Sequence, residues 1–131
     1  MDDDALRTWV GDDFPGPIQA IADRSRPGRV ADVSVEQGWW PLLVRLDRRL
    51  ATIDPDYVVR EVMPVDGRLR FEVENSRYAR ELRAIIRDAE AEAARTCEIC
   101  GRPGRKRGTY HPWYEVLCDE DAGLRSTMRT W

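Results

Sequence analysis

The 131-residue sequence contains one histidine and three cysteines. Catalytic zinc sites usually bind the ion through several histidines, so the single His111 argues against a zinc hydrolase. Three cysteines are too few for a disulfide framework, and two of them, Cys97 and Cys100, have the spacing of metal ligands in a reducing compartment. We therefore expect reduced cysteines and no catalytic metal chemistry.

The sequence also lacks a basic excess and a long apolar run. Its 21 basic and 24 acidic residues give a net charge of −3, so no overall basic field attracts nucleic acid. No apolar stretch approaches the roughly 20 residues that cross a bilayer, and the acidic residues 1–4 do not resemble a secretory signal. Lys106 is the only lysine, a skew typical of GC-rich bacterial genomes. We expect a bacterial, cytoplasmic protein that does not enter the membrane.

The length fits one compact domain with a small appended module. Turn residues at Phe14-Pro15-Gly16-Pro17 and at residues 25–28 interrupt the first part of the chain. We predict an N-terminal arm or peripheral pair of helices over residues 1–28, an α+β core over residues 29–95, and a zinc-binding module over residues 96–131.

Hydrophobic periodicity defines the predicted core. Alternation of apolar and polar residues predicts three strands, and Asp66-Gly67 is a short-turn signal between the last two of them. Apolar residues three and four apart predict two amphipathic helices. We expect an α+β fold in which a small antiparallel sheet has helices packed on one face: strands at about residues 29–36, 57–63 and 68–74, and helices near residues 39–52 and 76–95.

Cysteine spacing indicates a metal site in the last third of the chain. Two cysteines separated by two residues and followed by Gly101 are typical of a zinc knuckle, in which one turn directs both thiolates to one ion. Cys118 follows at a distance typical of a second half-site. We predict a structural zinc ion bound by Cys97, Cys100 and Cys118. Reduced packing cysteines and a Cys97–Cys100 disulfide are the alternatives.

The fourth ligand of this site is open to three assignments. Asp121 stands where a second half-site usually has cysteine or histidine, and its carboxylate would be a harder ligand than is usual for structural zinc. His111 is the alternative fourth ligand, reaching in from the intervening loop. A water molecule is the third possibility. Spacing favours Asp121.

A basic and aromatic segment lies between the two half-sites. Basic side chains beside aromatic ones can contact phosphates and stack on bases. The competing interpretation is a solvated loop whose aromatic residues fold against the zinc module, and the small size of the patch favours it. The possible nucleic-acid contacts are Arg102, Arg105, Lys106 and Arg107, beside Tyr110, Trp113 and Tyr114.

Residues 36–122 resemble a group of small bacterial and phage-encoded zinc-binding proteins. The resemblance rests on Gly38-Trp39, on Gly67-Arg68-Leu69-Arg70-Phe71, on Thr96-Cys97-Glu98-Ile99-Cys100-Gly101 and on Leu117-Cys118. The group ends its last motif in histidine where this chain has Asp121, and it differs from this chain at Val65-Asp66. The resemblance implies a zinc-binding accessory protein and carries no settled activity.

These features favour a non-catalytic, zinc-stabilised module that binds a protein partner. An immunity protein that neutralises a toxin, or an accessory protein of a phage or mobile element, has these properties. The alternative is a nucleic-acid-binding zinc-finger protein that uses the basic segment. A metal-dependent hydrolase is a third class, which the single histidine disfavours.

Overall fold

A computed structural model describes residues 1–110 and 113–128 of the chain. It confirms the α+β prediction, with helices packed beside small sheets. In chain order the elements are α1 (Asp3–Arg7), α2 (Gly16–Ala22), β1 (Asp32–Val33), a 3₁₀ turn (Gln37–Trp39), α3 (Trp40–Ile53), β2 (Val59–Val65), β3 (Arg68–Val73), α4 (Ala79–Ala93), β4 (Arg105–Tyr110), β5 (Trp113–Leu117) and α5 (Asp119–Met128).

The first sheet is mixed, with strand order β1-β2-β3, and not wholly antiparallel as the sequence predicted. β1 runs parallel to β2, pairing Asp32 with Glu61, and it is two residues long where the sequence predicted residues 29–36. The cause is α3, which lies between the two strands. A helix of this length returns the chain so that the second strand runs in the direction of the first.

The β2–β3 hairpin was predicted correctly. Its turn residues Asp66 and Gly67 have φ angles of 53° and 74°. A two-residue turn with positive φ at both central residues twists in the same sense as the flanking strands. Aspartate and glycine tolerate this conformation. The antiparallel register then pairs Val62 with Phe71, which places both side chains on the buried face.

The main hydrophobic core joins all the parts before the cysteines. α3 packs against α4, α4 packs against β3, and α1 and α2 pack on α3. The buried side chains of these helices and of the first sheet form one cluster. Residues 1–28 contribute three fully buried side chains, so the N-terminal helices are part of the core. The largest fully buried side chains of the core are those of Leu6, Ile18, Ile21, Trp39, Leu43, Leu46, Leu50, Val59, Val62, Leu69 and Leu82.

The second sheet is the hairpin of β4 and β5, which the sequence did not predict. The sequence predicted only a zinc-binding module over residues 96–131, without strands, and this module also contains a helix. The helix is α5, which begins at Asp119; residues 129–131 lie outside the described residues. The hairpin was missed because β4 begins with Arg105, Lys106 and Arg107, which have no apolar alternation.

A partly buried polar network holds α2, α3 and the loop before β2 together. Asp47 on α3 accepts hydrogen bonds from Arg24 Nε at 2.7 Å and from the hydroxyl of Tyr57. The Arg24 guanidinium also lies 4.2 Å from the centre of the Tyr57 ring and donates to the carbonyl of Pro55. Burial, followed by the hydrogen bond to Asp47, raises the pKa of Tyr57 well above its usual range. The hydroxyl therefore acts as a donor at every physiological pH.

Replacing Asp47 by alanine should lower the free energy of unfolding by about 2–4 kcal/mol, because the tyrosine hydroxyl and the guanidinium each lose a charged, partly buried partner. Thermal and denaturant unfolding would measure the change. Asp56→Ala, an exposed acid in the adjoining loop, is the matched control and should have little effect. Equal stability of the two variants would contradict a stabilising role for the network.

Candidate metal centre

The first half of the centre is a tight turn directly after α4. The N–H of Gly101 donates to the carbonyl of Cys97 at 3.0 Å, and the N–H of Cys97 donates to the carbonyl of Arg102 at 2.8 Å. Gly101 has a φ of 80°, a conformation that side chains other than glycine rarely adopt. This closed turn brings the thiols of Cys97 and Cys100 to the same side of the backbone.

The second half of the centre is the junction between β5 and α5. Cys118 follows the strand, and Asp121 lies in the first turn of the helix. The N–H of Asp121 donates to Cys118 Sγ at 3.4 Å, and the N–H of Ala122 donates to the carbonyl of Cys118 at 2.9 Å. The sulfur therefore takes the position of a helix-capping acceptor, and one helical turn places the carboxylate beside it.

Three thiols and one carboxylate converge between these two halves. Cys97 Sγ and Cys118 Sγ each lie 3.2 Å from Asp121 Oδ2, and Cys100 Sγ lies 3.7 Å from Cys118 Sγ. All four candidate ligand atoms lie within 4.8 Å of one another. Tetrahedral zinc with sulfur and oxygen ligands has edges of about 3.8 Å between sulfurs and about 3.5 Å between sulfur and oxygen, from its usual bond lengths. The three separations given above lie within about 0.3 Å of these edges. The remaining pairs lie within 4.8 Å, so the ligands would close a tetrahedral shell by small movements, outward for the carboxylate and inward for the most distant pair.

Without an ion, the cluster holds a charged carboxylate beside neutral thiols. Burial raises the pKa of the Cys97 thiol to about 12, although backbone N–H groups, those of Cys100 and Cys118 foremost, favour its thiolate. Burial also opposes ionisation of Asp121, but hydrogen bonds from the three thiols and the charge of Arg102 outweigh it, and the pKa of the carboxyl is lowered. A metal ion binds ligands in their deprotonated form, so it would replace the thiol protons that now point at the carboxylate.

Arg102 covers the sulfur side of the cluster. Its Nε donates to Cys100 Sγ at 3.3 Å, and a terminal nitrogen lies 3.8 Å from Cys118 Sγ and 2.7 Å from Glu120 Oε2. Its hydrogen bond to Cys100, followed by that to Glu120, raises the pKa of the guanidinium. Three thiolates and a carboxylate carry more negative charge than a divalent ion neutralises, and the guanidinium offsets part of the excess.

The close approach of Gly38 fixes the cysteine turn to the core. The Gly38 N–H donates to the carbonyl of Glu98 at 2.8 Å, and a Cβ at Gly38 would lie 2.1 Å from the carbonyl oxygen of Cys97. The neighbouring Trp39 indole donates to the carbonyl of Thr96 at 2.9 Å. Gly38-Trp39 is the first motif of the resemblance and lies at the start of a predicted helix, and these contacts show that the pair also joins that helix to the cysteine turn.

Glu98 is a structural residue of the centre that sequence reasoning did not identify. It is 3% exposed, and its carboxylate accepts a hydrogen bond from the N–H of Val116 at 2.6 Å. The N–H of Glu98 in turn donates to the carbonyl of Val116 at 2.9 Å. The main chain and the side chain of Glu98 thus both form hydrogen bonds with the backbone of Val116, and together they attach the cysteine turn to β5. Glu98 stands within the cysteine motif quoted above, but its position between the two cysteines gives no indication that its side chain is buried.

Two of the four predicted nucleic-acid contacts are engaged within the module. Arg102 is bound to the cluster, and Arg107 donates to Asp119 at 2.5 Å and to the carbonyl of Leu117. This hydrogen bond, followed by the charge of Arg107, lowers the pKa of Asp119. Lys106 lies over the ring of Tyr114, and Arg105 is exposed at the start of β4.

The predicted metal ligands divide between the described and the undescribed parts of the chain. Cys97, Cys100, Cys118 and Asp121 are brought together. His111, the alternative fourth ligand, lies outside the described residues, as do the side chains of Tyr110 and Trp113.

Comparisons with family models, with curated proteins and with solved structures gave no match to this chain. Within residues 1–110 and 113–128, no helix is long and apolar enough to cross a membrane.

Replacing Gly38 by alanine should destabilise the cysteine turn, because the new Cβ would overlap backbone atoms that have no room to move. We expect a loss of several kcal/mol or failure to fold, the upper end of single substitutions. Gly16→Ala is the matched control, since a Cβ there meets nothing within 4 Å. Soluble yield and thermal unfolding would compare the two. A Gly38→Ala variant as stable as Gly16→Ala would contradict the contact.

Replacing Arg102 by alanine should weaken zinc binding by about 10-fold, the lower end of what residues around metal ligands contribute. Competition against a chromophoric chelator would give the affinity. Arg105→Ala removes an equal charge from the same segment without touching a sulfur, and it should leave the affinity unchanged. An equal loss of zinc affinity in both variants would show that the positive charge of the segment matters and that the contacts of Arg102 with the sulfurs do not.

Proposed function

We propose that this chain is a zinc-stabilised, non-catalytic module that binds another protein. The single observation that carries the metal assignment is the largely buried cluster of three thiols and one carboxylate, whose candidate ligand atoms all lie within 4.8 Å of one another. Sulfur-rich tetrahedral sites favour zinc, and a carboxylate oxygen is an accepted zinc ligand.

The ligand set supports a structural role for the ion. Four protein ligands complete a tetrahedral shell, whereas catalytic zinc keeps one position for water or substrate. The hydrophobic cluster of the module is small: Cys97, Leu117 and Cys118 are its buried members. So few apolar side chains do not stabilise a hairpin and a helix by themselves, and metal binding would supply the missing free energy.

The protein-binding role is supported by how the molecule uses its surfaces. The metal cluster is closed by its own ligands and by Arg102, while the outer edge of β3 is open to a second chain. An immunity protein that neutralises a toxin, or a phage or mobile-element accessory protein, would bind a partner through such a surface. Nucleic-acid binding is the alternative, but the ion pairs of Arg102 and Arg107 reduce the charge that segment offers.

Elemental analysis of the purified protein tests the metal assignment. We expect one zinc per chain in the wild type, and loss of most of it in Cys118→Ser and in Asp121→Ala. Asp119→Ala removes the exposed acid two positions earlier and should retain the ion, as should His111→Ala. Removing zinc with a chelator should unfold the β4–β5 hairpin, seen as loss of its amide protection in hydrogen exchange.

Two results would change this assignment. Wild-type protein free of zinc would make the three cysteines packing residues. Zinc retained in Asp121→Ala and lost in His111→Ala would make the histidine the fourth ligand.

A further inference from the structure

A groove of about 470 Å³ lies between the edge strand β3 and the helix α4. Residues 70–75 form one wall, and α4 forms the other through Ala79, Arg83, Ile86 and Glu90. The groove is separate from the metal cluster. It combines an apolar floor with charged margins, which is the usual composition of a peptide-binding groove.

The backbone of β3 is paired on one side only. β2 is its single neighbour in the sheet order β1-β2-β3. Across the described ranges, no other segment donates to or accepts from the outer side of Arg68–Val73. An edge strand with free N–H and carbonyl groups is a template for one more strand, which would lie along the groove.

When the side chains that form internal ion pairs are set aside, the remaining charged side chains of the groove have a net positive charge. Arg70 is paired with Glu61 and Glu72, and Glu74 is paired with Arg26. Three other charged side chains of the groove form no ion pair with any described residue. They are two arginines and one glutamate: Arg60, Arg83 and Glu90.

The basic margin continues along α4. Arg80 and Arg87 lie one turn before and one turn after Arg83, and all three are exposed. None of the three forms an ion pair with another described residue. Arg83 lines the groove, and Arg80 and Arg87 continue its basic margin along the exposed surface of α4. Guanidinium groups of this kind bind carboxylates in bidentate geometry.

We infer that the β3–α4 groove binds an extended acidic segment of the protein partner, which adds as a fourth strand beside β3. This inference rests on the proposed protein-binding function. Main-chain hydrogen bonds to β3 would supply affinity. Alternate side chains would point either to the apolar floor of Phe71, Val73 and Ile86 or towards the basic margin, so the preferred sequence alternates apolar and acidic residues.

Selection from a random library of linear heptapeptides on the immobilised, full-length protein tests this inference. We expect enriched peptides to place aspartate or glutamate at alternate positions. Nuclear magnetic resonance titration with an enriched peptide should shift the amides of Arg68–Val73 and Ala79–Ala93. N-methylation of the peptide at the residues that pair with β3 should weaken binding at least 10-fold, because it removes their donors.

Charge reversal provides the matched comparison. Arg83→Glu should weaken the enriched peptide at least 10-fold, whereas Arg48→Glu, an exposed arginine on α3, should leave binding unchanged. Both substitutions lie on solvent-facing helix positions, and thermal unfolding would check that each variant is folded.

Several outcomes would overturn the inference. They are the absence of enriched peptides, equal binding of the N-methylated peptide, and shifts caused instead by a single-stranded oligonucleotide. Enriched peptides that bind at another surface would contradict the groove as the binding site, but they would leave the proposed protein-binding function in place. Zinc content, measured on the same preparation, reports separately on the metal assignment.

Discussion

The backbone contact between Gly38 and the peptide joining Cys97 to Glu98 links the two halves of this molecule. The contact is possible only because position 38 has no side chain. Trp39, the next residue, fills the core and donates to Thr96, so one dipeptide serves both the core and the cysteine turn. The position of the metal cluster, and through it of β5 and α5, follows from this contact.

The cysteine turn is in addition held from two other directions. Gln37 donates to three carbonyls at the end of α1, at Leu6, Arg7 and Trp9, and a Cβ at Gly101 would lie 2.7 Å from Arg7 Nε. On the opposite side Glu98 pairs with Val116. The 3₁₀ turn is therefore tied to α1 through Gln37 and to the cysteine turn through Gly38, while Glu98 ties the cysteine turn to β5.

Local patterns in the sequence predicted much of this fold, and long-range pairing explains what they missed. The β2–β3 hairpin depends on the conformational preferences of Asp66 and Gly67, and α3 and α4 depend on apolar spacing, so each was predictable from a short window. The parallel partner of β1 is Glu61, which no short window contains. The convergence of Cys97, Cys100, Cys118 and Asp121 was predictable from spacing, because ligand chemistry restricts which residues come together. The roles of Glu98 and Arg102 depend on tertiary burial that spacing does not encode.

The hydrogen bond from Trp39 to Thr96 joins residues 57 positions apart. During synthesis, the chain up to α3 therefore leaves the ribosome well before the segment that receives its indole. Until then Trp39 lacks the cysteine turn that contacts it in the native structure. At the usual elongation rate of about 5–20 residues per second, this delay lasts several seconds. The contact between the core and the cysteine turn is thus one that a nascent chain can complete only late in its synthesis.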